Sequence, residues 1–449
     1  MKRILILDDV EVPGIVTRFN YVDFINDDDE KVQLFIFTST NGVSEIDKKS
    51  SHLIEYKEVD HPSTDGTLEI WANEIQHKYS LTHIYTKNEE LIIRAAYLRN
   101  LFGIKNGLQS EDVAFYREKV KMKECARQGG FLVPNFERIL APATILKFIE
   151  QYGYPVVIKP TMGCAVSGVE VIKDEEELKV YFKKKLFSSI DLGQRADFVG
   201  ETMIESFVNG RIYNVNGYAY HGQIQQIWPF EYLHTCLEFA LHGKAYGNSS
   251  IRSNEPLYTQ LKDAAQNLLS ILPTPDNLVF HLELYENVNF NGTNGQFILC
   301  EIAARGPGGS IGALIDIIEG ERFAEIDFRV SNELPVSKKQ KEKLDIIVSD
   351  LVIPRQKGKL MYIPLECPIQ GINYIPIAKC VSSYTKYDVN TTNSACRMVA
   401  VGNDREETQK LVYKGLEWFE SSCIITNDND SSTQTLSKEI YRFLHKLFL

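Results

Sequence analysis

The chain has 449 residues, which at about 150 residues per domain predicts roughly three domains. Hydrophobic residues make up 44% and charged residues 24%, a balance that excludes wholesale disorder, collagen-like repeats and a disulfide scaffold. With 49 Lys and Arg against 60 Asp and Glu the formal charge is -11, so nucleic acid is not an expected partner, although a local basic site for a nucleotide is compatible with it.

The start of the chain, Met1 to Asp9, is a basic opening, a short apolar run and two acids. That pattern fits a core strand and not a signal peptide. No stretch approaches the roughly 18 apolar residues of a membrane span. The eight cysteines are dispersed with no Cys-x-x-Cys pair, which fits free thiols in a reducing compartment. Asn-x-Ser/Thr triplets begin at Asn248, Asn291, Asn390 and Asn429 and read as chance matches. The cytoplasm is the expected location, with no membrane partner.

Residues 3–7, 32–38 and 83–86 read as strands, and 68–77 and 89–101 as helices. This alternation predicts an α/β domain with a parallel sheet. No Gly-x-Gly-x-x-Gly fingerprint follows the first strand, so a dinucleotide site of that kind is not expected. Residues 111–127 read as one strongly charged helix near a domain boundary. Pro142 is placed to open the next helix. From Tyr154 the chain is strand-rich to about Gly312. Beyond it, 359–363, 377–381 and 397–401 are strand-like, 405–419 and 437–448 helical.

Three segments carry the chemistry. In 154–169 a buried strand ends in Lys159 and Pro160, then a loop with Gly163, Ser167 and Gly168 leads into a second strand. Such a hairpin can fold over phosphates, with backbone N–H groups, a hydroxyl and a lysine as donors. The same pattern also describes an ordinary hairpin with a snorkelling lysine. In 202–217 a short strand meets Glu205 and an apolar linker, which can present main-chain groups to a flat base or be a plain strand–turn–strand. In 279–285 and 297–309 Glu283 and Glu301 are each embedded in apolar strands. A lone buried carboxylate is costly, and two side by side call for a shared cation. Hard oxygen ligands favour Mg²⁺ shared with phosphates, and Arg305 is placed to reach a phosphoryl oxygen. Two salt-bridged or edge-exposed glutamates would give the same pattern.

In order and spacing these segments resemble the ATP-grasp superfamily, from the first strand to about residue 330. Arg117, Glu118, Lys119 and Met122 are similar to its Arg-Asp-Lys-x-x-Met entry. The resemblance implies an α/β fold with an N-terminal parallel-sheet domain (1–115), a linker helix and small β-rich lid lobe (116–210), and a large lobe with a C-terminal extension (211–449). It implies ATP contacts from Lys119, Lys159, Gly163, Ser167 and Gly168, and an adenine hinge at Glu205, Phe207 and Val208. Glu283 and Glu301 would hold one or two Mg²⁺ ions, with Arg305 as the catalytic arginine. Two departures stand out: Ala303 replaces a common Asn ligand, and Ile212 a ribose-binding Glu. The stretch 300–309 and the long C-terminal part look most similar to bacterial L-amino-acid ligases, ATP-dependent enzymes that join amino acids into dipeptides or short oligopeptides, as in peptide-antibiotic biosynthesis. By that resemblance the substrates are small amino acids and a homodimer is common. A ligase of another carboxylate and a non-catalytic nucleotide-binding protein are the rival readings. Glu231, His234 and His242 lie where substrate could bind but more often such residues are structural.

Overall fold

A computed structural model of the chain describes residues 1–10, 18–27, 29, 31–163, 166–183, 201–235, 237–239, 243–289, 295–336, 345–356, 358–378, 383–384 and 394–426. Two compact units emerge: Met1–Glu231 with Ile251–Lys343, and Tyr232–Ser250 with Leu344–Leu449. Among the described residues no helix is long and apolar enough to cross a membrane.

The first unit opens with a parallel sheet of β1 (Lys2–Leu7), β2 (Val32–Ser39), β3 (Leu53–Val59) and β4 (His83–Tyr85), in the order β3-β2-β1-β4. Strands β1 and β2 are apolar on both faces because both faces are covered. Leu5, Leu7, Phe35 and Phe37 pack under the helices Thr67–Tyr79 and Ile92–Phe102, whereas Ile4, Ile6, Leu34 and Ile36 pack on the other face with Tyr21 and Phe328. Strand β3 was not expected. Its Glu55, Lys57 and Glu58 mask the strand pattern, as charges do on an edge strand.

The charged run 111–127 is not one helix. A 3₁₀ turn at Val113–Tyr116 is followed by a helix, here α1, only from Lys119–Gln128. The break falls at Glu118, whose extended backbone (φ -101, ψ 106) and carboxylate cap the new helix. Pro142 does open a helix, Pro142–Tyr152.

A small antiparallel sheet follows, built from β5 (Phe136–Arg138), β6 (Val156–Pro160), β7 (Glu170–Ile172) and β8 (Thr202–Ser206) in the order β5-β8-β6-β7. The expected hairpin is present, with Val156 opposite Ile172 and Ile158 opposite Glu170. Further on, β9 (Ile212–Tyr220) pairs with β10 (Gln223–His234) through Glu231 and, on its other edge, with β12 (Asn277–Glu286), which pairs with β13 (Phe297–Ala303). The strand between them in the chain, β11 (Tyr246–Ser250), lies in the second unit. The core of this part joins Val215, Leu282, Leu284 and Leu299 to Met122 and Ala126 of α1 and to Leu261, Ala265 and Leu268 of the helix Pro256–Ile271.

In the second unit β11 pairs antiparallel with Ile347–Pro354, and that strand with Ser394–Gly402. The helix Arg405–Ser422 buries Val412 and Phe419 among Leu351, Met398 and Ala400. Strands were expected at 359–363 and 397–401 and lie at Gly358–Tyr362 and Ser394–Gly402. Most of the strand expected at 377–381 lies outside the described residues, which here end at 378; before it, Ile372–Pro376 pairs with Ser394–Gly402. The helix expected at 437–448 lies outside the described residues.

Candidate active site

Glu118 accepts hydrogen bonds from the backbone N–H groups of Val120 and Lys121 (3.1 and 2.9 Å), and so fixes where α1 starts. Lys119 is then the first helical residue. Its own N–H donates to the Thr161 carbonyl (2.9 Å), and its Nζ donates to the Gly163 carbonyl (2.6 Å) while pairing with Glu301 Oε2 at 2.9 Å. One lysine thus links the glycine-bearing loop to the strand of the second acid. Met122, three residues on, accepts through its sulfur from the Ile302 N–H (3.4 Å), docking the helix on β13.

The two acids are direct cross-strand partners: Glu283 of β12 stands opposite Glu301 of β13, with a bulge immediately beyond. Directly opposed residues share a face of the sheet. Both remain partly open to solvent, with side chains 20% and 29% exposed. Burial works against charge on Glu301, but Lys119 and Lys159 outweigh it and hold the carboxyl down to about 2. Glu283 has His281 Nε2 at 3.6 Å and the Cys300 thiol at 3.7 Å. That thiol is pushed up to about 12 by burial and the nearby acids, so it is no nucleophile here. Among the described residues no three His, Cys, Asp or Glu side chains already converge as a metal cage. The reason is visible in the geometry, since Glu301 is turned to Lys119. The donor set fits a hard divalent ion that takes its remaining ligands from phosphate.

Behind this pair lies a sealed cluster. Glu205 of β8 pairs with Lys159 Nζ at 2.6 Å and with Lys123 Nζ at 3.4 Å. Lys123 is fully buried and also donates to the carbonyls of Leu299 and Cys300 (3.0 and 2.7 Å). Burial opposes the charge on Glu205, yet the two lysines hold its carboxyl below the usual range. Burial lowers Lys123, while Glu205 raises Lys159 above its ordinary value against its own burial. The Glu205 side chain therefore faces the lysines. Phe207 is exposed, and its N–H donates to Pro155 O (3.1 Å).

The glycine loop is only partly described, because 164 and 165 fall outside the described residues. Gly168 takes a positive φ of 72, and a Cβ there would sit 2.9 Å from the Pro160 ring. Ser167 is exposed.

Sequence reasoning missed Glu89. It follows β4 and ion-pairs with both Arg117 and Arg305, and these two guanidiniums overcome its burial to hold the carboxyl below the usual range. Arg117 also donates to Met162 O (3.2 Å). Glu89 thus gathers two arginines, one of which reaches the start of the glycine-bearing loop at Met162. No local signal marks it: the strand order β3-β2-β1-β4, whose switch point at β1 is where open α/β sheets bind ligands, is seen only in the fold. Of the other candidates, Glu231 pairs with Arg211 at 3.6 Å. His234 stacks edge-on to Tyr413 in the second unit, and His242 lies outside the described residues.

Residues 119–210 match the family described as the carbamoyl-phosphate synthase L chain, ATP binding domain. Over its whole length the chain is similar to the crystal structure of an L-amino acid ligase from Bacillus licheniformis, with a TM-score of 0.67, 13% identity, and 96% of this chain and 99% of that one covered. The chain has the ATP-grasp fold. The N5-carboxyaminoimidazole ribonucleotide synthetase of Thermotoga maritima is also similar (TM-score 0.61, 16% identity, 95% and 100% covered). In sequence, the L-arginine-specific L-amino acid ligase of Bacillus subtilis is 23% identical over 234 residues, 52% of this chain and 54% of that protein. The match thus spans about half the length of that relative.

Proposed function

We propose that this chain is an ATP-dependent carboxylate–amine ligase that joins L-amino acids into a dipeptide or short oligopeptide. The observation that carries the reading is the pairing of Glu283 with Glu301, with Lys119 bridging from Glu301 to the loop carbonyl of Gly163. A carboxylate does not acylate an amine at neutral pH, since its leaving group would be oxide. Phosphorylating it first makes phosphate the leaving group. Such a transfer asks for charge neutralisation and in-line positioning more than for a protein nucleophile. Glu283 and Glu301 would hold Mg²⁺, which supplies charge neutralisation at the phosphates. Lys119 would exchange Glu301 for phosphate oxygens. Lys159, anchored by Glu205, would point its remaining N–H groups at the nucleotide. Gly163, Ser167 and Gly168 would cover the phosphates and keep water out. Arg305, oriented by Glu89, would meet the transferring phosphoryl group. The amine of a second amino acid then displaces phosphate.

The test is incubation with ATP, Mg²⁺ and all twenty amino acids, with ADP release and mass analysis of products. A dehydrated pair of amino acids is the expected product. ADP release with a different carboxylate, and none with amino acids, would favour the second reading, a ligase of another carboxylate. The likeness to the carboxyaminoimidazole ribonucleotide synthetase supports that alternative.

A further inference from the structure

The helix Ile92–Phe102 carries Arg99 in its last turn, and the side chain is buried. Its guanidinium is met by carbonyl oxygens alone. Nε and Nη2 donate to Ile84 O (3.2 and 2.7 Å), and Nη1 donates to Leu108 O (3.1 Å). The Ile84 carbonyl is also asked by a third donor, Asn106 Nδ2 at 3.4 Å, although a carbonyl oxygen has two lone pairs. Among the described residues no carboxylate pairs with Arg99. Burial lowers its ionisation to about 10, so the group is still charged at neutral pH. A buried charge without a counter-ion is costly. The end of a helix offers only about half a unit of negative charge, which solvates the guanidinium without neutralising it.

Arg99 lines a cavity of about 40 Å³ shared between this helix and the start of β12. That space holds about three water-sized groups, too little for an amino acid or a phosphate ester. Leu108 and Val279 supply apolar wall, and two further donors face the same space, the Asn277 amide and the Thr86 hydroxyl. The Asn277 side chain has no hydrogen-bond partner among the described residues. The Thr86 oxygen accepts from the Asn88 N–H (3.1 Å), which leaves its hydrogen to donate. Among the described residues that line the cavity none is acidic. A guanidinium, an amide and a hydroxyl around one small space, with no carboxylate opposite, are the chemistry of an anion site.

We propose that this cavity binds one small monovalent anion, with chloride as the simplest occupant, held by Arg99, Asn277 and Thr86. The site stands independently of the nucleotide reading above. The anion supplies the countercharge that the carbonyls cannot, and it ties the end of the helix to β12. Because it binds the folded chain, stability rises with its concentration. Size sorts the candidates: chloride, bromide and nitrate fit the space, whereas gluconate does not.

The experiment compares the full chain in sodium chloride and in sodium gluconate at equal ionic strength, by thermal melting and by broadening of the ³⁵Cl resonance. Chloride should raise the melting temperature above its value in gluconate, and the wild-type protein should broaden the chloride line until nitrate displaces the ion. In Arg99→Gln both effects disappear. Asn277→Leu changes a half-buried residue and no charge, and it should bind chloride about tenfold more weakly. A wild-type protein that melts identically in the two salts, or leaves the chloride line sharp, overturns the proposal. Chloride binding of equal strength in the wild type and in folded Arg99→Gln also overturns it, since the ion then sits elsewhere. Should Arg99→Gln fail to fold, Asn277→Leu decides, and undiminished chloride binding in that variant overturns the site.

Discussion

Two clusters of opposite charge lie within one unit and differ in how they meet solvent. Lys123, Glu205 and Lys159 form a sealed group in which Glu205 is 2% and Lys123 0% exposed. Lys119, Glu301 and Glu283 form an open one, with both acids a fifth or more exposed. The sealed cluster has protein partners for its charges, including two carbonyls of β13 on Lys123. The open cluster brings two acids together, with Lys119 facing Glu301. Removing a member of a buried ion group leaves an uncompensated charge, whereas an exposed group can be satisfied by water or ligand. The first cluster should therefore govern stability, and the second the chemistry.

The largest effect expected is in the open cluster. Glu283→Gln or Glu301→Gln should cut ADP release about a thousandfold, the several kcal/mol that a metal ion supplies to charge development. The melting temperature of each should stay near that of the wild type; a collapse of folding with either would erase the distinction. In the sealed cluster the pattern reverses. Lys123→Met should lower unfolding free energy in urea by about 3–5 kcal/mol. Adding Glu205→Gln to it should recover part of that loss, since the orphaned acid is gone. An undiminished loss in the double variant would mean that Lys123 acts through its carbonyl partners alone.

Asp327 sharpens the comparison from another side, as a sealed acid to which no cation is bonded among the described residues. It accepts from Tyr85 OH (3.2 Å) and Ser331 Oγ (3.2 Å), and burial pushes its carboxyl up from 3.8 to about 6. A folded value above the unfolded one means that the native state binds the extra proton. Stability from this group is thus full below about pH 4 and is lost as pH rises through about 6, up to roughly 3 kcal/mol. Asp327→Asn should flatten that part of the stability curve in urea titrations from pH 4 to pH 7. A slope unchanged by the substitution would refute the assignment. The smallest effect is expected at the surface. Arg211, 58% exposed, pairs with Glu286 at 2.9 Å, and Arg211→Ala should cost under about 1 kcal/mol by the same measurement, and less in high salt.

Much of this was legible in the sequence, for identifiable reasons. Strands β1, β2, β12 and β13 show as apolar runs because they are core strands, and the acids within two of them stand out for the same reason. The Glu283–Glu301 pairing follows from two strands joined by a turn-rich connection. Strand β3 was hidden by its charges, and the break in 111–127 by a glutamate that reads as helix-forming but acts as a cap. Glu89 was hidden because its arginine partners lie 28 and 216 residues away, a separation that no local pattern encodes. Lys123 looked like one more charge on a basic helix. Only the fold shows that its side of α1 faces β8 and β13. Arg99 is unremarkable in the chain and becomes a buried charge only through the packing of its helix.

The central claim is that Glu283 and Glu301 together grip the divalent ion that holds the nucleotide. Its most direct test is calorimetric titration of ADP into wild-type protein and into Glu283→Gln/Glu301→Gln, with and without Mg²⁺. The account predicts that Mg²⁺ tightens ADP binding to the wild type by about a hundredfold or more, and does nothing for the double variant, whose metal-free affinity is unchanged. Equal Mg²⁺ enhancement in both proteins would contradict it.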